Sequence, residues 1–133
     1  MKILDLPAFP SKINFVDKNN VVVGFDTHQD CCESFGWFFS DHFEYVDGQK
    51  TMSAAELKLD KYNFDPDFMH SYTEPGAESE STNVSFKLIK PRSKKPLYLH
   101  LYNHHNGYYG HGFTVDIGGI SKFKGLLWNS LAR

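Results

Sequence analysis

Residues 96–119 read PLYLHLYNHHNGYYGHGFTVDIGG, and the pairing of this stretch decides the fold. Leu97, Leu99 and Leu101 alternate with Tyr98, His100 and Tyr102, the period of two that marks a β-strand. Both faces of that run are largely apolar, which places the strand inside its sheet. Asn106-Gly107 is a strong short-range hairpin signal, because a tight primed turn requires positive φ at its central positions. Tyr108 to Ile117 then reads as the returning strand of the same hairpin, with Gly110 and Gly112 leaving room for a bend or bulge.

Upstream, Lys12–Val16 and Val21–Thr27 flank the polar Asp17-Lys18-Asn19-Asn20 and predict a first hairpin. Val21-Val22-Val23 is β-branched and apolar without a break, so burial on both faces is expected. The aromatic run Phe35-Gly36-Trp37-Phe38-Phe39 is strand-like and brings large core area. Residues 47–83 are the least regular. Within them Ser53 and Glu56 form a capping box for a short helix at 53–58. Asp65-Pro66-Asp67 reads as a turn, and residues 74–83 (EPGAESESTN) as a polar loop. A connection this long in a small domain is usually functional or disordered. Val84, Phe86 and Leu88 define one face of a further strand, and Pro91–Pro96 is a basic turn. Ile120–Trp128 fits either an edge strand or a short helix. The expected architecture is a β-rich α+β single domain over residues 1–133, a mainly antiparallel sheet of about six strands with one or two short helices.

The 133 residues, 41% hydrophobic and 16% aromatic, suffice for one core. The opening MKILDLPAFPSK lacks the apolar region of a signal peptide, and no run reaches the roughly 18 apolar residues of a membrane span. A cytoplasmic location without membrane association is therefore expected. The only cysteines, Cys31 and Cys32, are adjacent and cannot frame a disulfide scaffold. The net charge of -2 conceals an asymmetry. Residues 41–80 hold ten acids against three lysines, whereas residues 81–133 hold eight Lys or Arg against Asp116 alone.

Several constellations invite chemistry. His28, Cys31 and Cys32, with His104, His105 or His111 to complete the set, have the residue types of a zinc site, although adjacent cysteines on a strand point to opposite faces. The same cysteines with a histidine base and Asp30 or Glu33 would make a thiol nucleophile. His42, His100, His104 and Lys122 have the types of a metal-independent nuclease, yet His100 sits in a core-like alternation that favours a packing role. Lys87, Lys90, Arg92, Lys94 and Lys95 form a local basic segment suited to nucleic acid, but the acidic chain as a whole disfavours that partner. The acidic middle offers a different use. Asp41, Glu44, Asp47, Glu74, Glu78 and Glu80, with Tyr72 as an aromatic anchor, can mimic a polyanion and dock on a basic protein.

The string Gln29-Asp30-Cys31-Cys32-Glu33, followed by a strand and Asn106-Gly107-Tyr108-Tyr109, resembles a small uncharacterised domain of bacterial and phage proteins with QDCCE and NGYY motifs. The likeness covers roughly residues 19–40 and 84–117. It implies a fold and leaves activity open. Size, charge layout and the lack of a catalytic signature are also similar to immunity proteins of contact-dependent inhibition and related toxin systems. The expectation is a protein that is not an enzyme, needs no cofactor, and neutralises a cognate toxin with a basic surface, such as a nuclease, by charge-complementary occlusion. The alternatives are a cysteine/histidine enzyme or metal protein and a phage or plasmid factor touching nucleic acid.

Overall fold

A computed structural model describes residues 1–5, 12–28, 35–44, 51–72, 80–81, 83–103 and 110–127. Its strands are β1 (Lys2–Asp5), β2 (Lys12–Val16), β3 (Val21–Asp26), β4 (Phe35–Ser40), β5 (Asn63–Phe64), β6 (Glu80–Ser81), β7 (Asn83–Ile89), β8 (Leu97–Asn103), β9 (His111–Ile117) and β10 (Ile120–Leu127). Two short helices, α1 (Ala54–Leu57) and α2 (Pro66–Tyr72), and a 3-10 turn at Leu59–Lys61 complete the described elements. The fold is β-rich, as expected, but its strands divide between two sheets. One is six-stranded in the order β1-β2-β3-β9-β10-β6, the other four-stranded in the order β4-β8-β7-β5. Every pairing is antiparallel except that of β10 with the two-residue β6.

The central hairpin of the sequence reading does not form. Strand β8 lies between β4 and β7, whereas β9 lies between β3 and β10 in the other sheet. Leu97, Leu99 and Leu101 on β8 and Phe113 and Val115 on β9 are all buried, so each strand turns one apolar row into a common core. That solution buries both rows between the sheets, as in β-sandwich packing. Asn106-Gly107 lies outside the described residues. The two-residue hairpin loop is instead Gly118-Gly119, both at positive φ (62° and 82°), closing the Ile117–Ile120 pair between β9 and β10. Nor do the Gly110 and Gly112 positions carry the bulge; the register shift falls on β10, between Ser121 and Phe123.

Ring contacts tie the layers. Phe15 meets Trp37 edge-on at 5.2 Å, Phe86 meets Phe113 at 6.0 Å, and Phe35 stacks on His111 at 3.9 Å. Replacing a fully buried Phe such as Phe15 or Phe86 by Ala would cost about 3–5 kcal/mol. Polar links run beside them. Asn103 Nδ2 donates to the Leu127 carbonyl at 3.1 Å, and His111 Nδ1 donates to the Asp26 carbonyl at 2.8 Å.

The expected first hairpin is present as β2–β3, with Val21 and Val23 buried and Val22 half-buried. Ile120–Leu127 resolves as a strand. The largest departure is the connection 47–83. Residues 51–72 are ordered structure that feeds the core through Leu57, Leu59, Tyr62, Phe64 and Met69. The capping box is partly realised: Ser53 Oγ accepts the Glu56 amide at 3.3 Å. Asp65-Pro66-Asp67 begins a helix where a turn was expected. Asp65 Oδ1 accepts the Asp67 amide, and Pro66 occupies the first helical position, where its missing N–H costs nothing.

Candidate functional site

At the end of β4 the chain leaves the four-stranded sheet and turns over its outer face as residues 41–44. Ser40, with no exposed surface, fixes that turn: its hydroxyl donates to the His42 carbonyl at 3.0 Å and accepts the His42 amide at 3.3 Å. The same oxygen lies 2.6 Å from Nε2 of His100, whose Nδ1 lies 2.7 Å from Ser85 Oγ. Because the Ser40 proton is given to His42, Nε2 carries the imidazole hydrogen and Nδ1 accepts from Ser85. Phe38 stacks on His100 at 4.6 Å. Burial holds the His100 pKa below its ordinary value, with the His42 carbonyl pulling weakly the other way. This serine–histidine–serine chain is sealed, with His100 at 0% exposure, so it anchors a surface segment and offers no nucleophile to a substrate.

Above that anchor, Phe43 remains 53% exposed. Its ring rests edge-on against Tyr98 of β8 (5.6 Å) and Phe68 of α2 (6.1 Å), which holds it upright on the sheet. Asp41, His42 and Glu44 around it are exposed, and Asp41 Oδ1 bonds His42 Nδ1. The contact with Phe68 brings the first turn of α2, with exposed Asp67, alongside. The result is an exposed aromatic ring in a turn that also exposes Asp41 and Glu44, on a backbone fixed from beneath.

Of the anticipated partner-binding residues, Asp41 and Glu44 fall on this surface. Tyr72 ends α2 and Glu80 lies on β6, but their side chains, like Asp47, Glu74 and Glu78 altogether, are outside the described residues. Glu80 belongs to the edge of the six-stranded sheet, so the anticipated acids are drawn from two different sheets. Phe43 went unnoticed in the sequence. The available signal was an aromatic residue placed between two acids just past a strand end.

The competing constellations fare differently. His28 is exposed beyond β3, while Cys31, Cys32 and His104, with the whole QDCCE and NGYY strings, lie outside the described residues. Among the described residues, no three His, Cys, Asp or Glu side chains are grouped to hold a metal ion. His100 and Lys122 do not converge: one is buried in the four-stranded sheet, the other exposed on the six-stranded sheet. In the basic segment, Lys87 pairs with Asp65 at 3.5 Å and Lys90 sits over the Tyr62 ring at 5.3 Å, so two of its cations already have partners. No helix among the described residues is long and apolar enough to cross a membrane. Comparison with protein-family models, curated proteins and solved structures found no match.

Proposed function

We propose that this protein is a non-enzymatic binding module that docks on a basic protein partner through Asp41, Phe43 and Glu44, and that the partner is a cognate bacterial toxin which it neutralises by occlusion. The observation that carries this reading is Phe43: an aromatic ring half in solvent, flanked in the chain by the exposed acids Asp41 and Glu44 and supported by Tyr98 and Phe68. A rigid aromatic anchor that fills a pocket, surrounded by charges that steer encounter, is the anatomy of an energetic centre in a protein interface. Support also comes from the Ser40–His100 anchor, which removes conformational freedom before binding and so lowers its entropic cost. The toxin assignment follows the charge layout and the likeness to immunity proteins, and a cytoplasmic site of action goes with it.

The experiment is co-expression with the product of each gene that neighbours its own, scored for growth arrest and its relief. The native chain restores growth, Phe43→Ala weakens protection, and Asp41→Lys with Glu44→Lys abolishes it while the protein stays folded. Protection that survives both changes would remove this surface from consideration, and absence of any protection would remove the toxin assignment.

A further inference from the structure

We propose that the outer face of the six-stranded sheet, away from the acidic surface, holds a binding site for a small organic phosphate monoester, seated between Lys12 and Lys124. A trough of about 340 Å³ crosses β2, β3, β9 and β10 there. Small-molecule sites start at roughly 300 Å³. Its shape follows from the register. Asn14, Gly24, Thr114 and Lys124 lie in one cross-strand row, and Lys12 faces Asp26 in the next. Gly24 has no side chain, so its neighbours lean in. A Cβ there would stand 2.7 Å from Lys12 Cε and 2.8 Å from Thr114 Oγ1. An ammonium stem and a hydroxyl therefore converge over Gly24, with Lys124 beside the same threonine across the next pair of strands.

The two lysines stand on strands three spacings apart and one row out of step, about 16 Å at the backbone, within reach of one small ligand by their long arms. Among the described residues neither lysine forms an ion pair, whereas Lys87 and Lys90 both have partners. Asp26, although opposite Lys12, accepts the His28 amide through Oδ1. The two ammonium groups outweigh the Asp26 carboxylate by one charge, which favours an anion, and the three acceptor oxygens of a phosphate monoester can bridge both arms where a carboxylate has only two. The far end of the trough is apolar and open: a Cβ on Gly112 would meet nothing nearer than the Gly125 carbonyl at 3.8 Å. That end suits an uncharged organic body, and Asp26 near it selects against an acidic one.

The test is titration of the full chain with phenyl phosphate, followed by amide chemical shifts. Saturable shifts on β3, β9 and β10 are expected, with benzoate and inorganic phosphate each binding about tenfold more weakly, a loss of about 1.4 kcal/mol. Lys12→Gln and Lys124→Gln should each weaken phenyl phosphate about tenfold, the effect of losing one charge-assisted hydrogen bond. Gly112→Leu should abolish binding by filling the open end, with the fold retained because its Cβ has space. No saturation by about 10 mM phenyl phosphate would overturn the proposal. So would identical titrations in all three variants, or inorganic phosphate binding as tightly as the ester. The acidic surface plays no part in this readout, so the two proposals fail separately.

Discussion

Asp17 Oδ2 accepts the backbone amide of Phe64 at 3.0 Å, joining the turn between β2 and β3 to β5 of the opposite sheet. Its other oxygen accepts the amides of Asn19 and Val21, both at 2.9 Å, and Asp17 is only 7% exposed. One carboxylate therefore shapes a hairpin and clamps two sheets. Asp17→Ala should lower unfolding free energy by about 2–3 kcal/mol, since it strands the buried Phe64 amide. Asp17→Asn keeps one acceptor oxygen and should lose less. Urea denaturation midpoints check the order.

The buried imidazole makes stability depend on pH. His100 binds a proton less readily folded than unfolded. Above the ordinary histidine value near 6.5 both states are neutral and nothing changes. Below it the unfolded chain takes up a proton that the native state refuses, so stability falls as the pH drops toward the lowered native value. Urea midpoints measured between about pH 8 and pH 5 should decline through this window, and His100→Gln should flatten that part of the curve. A curve unchanged by the substitution would mean that other groups govern it.

The Gly118-Gly119 turn demands left-handed backbone at both positions. Gly119→Ala should cost about 1 kcal/mol, while Gly118→Asn, a residue that tolerates this conformation, should cost less. Thermal unfolding distinguishes them. Crowding is no part of either result, because a Cβ added at either glycine would meet no atom within 4 Å.

Gly125 presents the opposite case. A Cβ there would fall 2.3 Å from Phe113 Cζ and 2.4 Å from its Cε1. Gly125→Ala should destabilise by about 1–3 kcal/mol, the usual cost of overpacking. Adding Phe113→Leu should recover part of that loss, so the double variant should cost less than the sum of the two single changes.

These contrasts show how far the chain could be read. The alternation of Leu97–Tyr102 marked a strand that does lie inside its sheet, and that of Val84–Leu88 marked a strand with Val84, Phe86 and Leu88 on its buried face. They did not give partners, because an apolar row at a period of two looks the same whether its neighbour lies beside it or across the core. Gly118-Gly119 suits the same primed turn, yet Asn106-Gly107 lay between two convincing strands and drew the pairing to itself. In residues 51–72 the acids obscured an apolar set, Leu57, Leu59, Tyr62, Phe64 and Met69, whose spacing follows several short elements and no single period. Asp41 and Glu44 were visible as charges. Phe43 between them was not, since its exposure depends on the Ser40 anchor beneath.

The pairing of β3 with β9 sets Val21 against Ile117 and Phe25 against Phe113. During synthesis the β2–β3 ribbon must therefore wait, one edge open, until residues 113–117, some ninety positions later, have left the ribosome. Such distant closure is slow, and the waiting edge is a place where nascent chains can stick to one another. Yield from the cell should thus depend on translation rate and chaperone supply more than on the final thermodynamic strength of the sandwich.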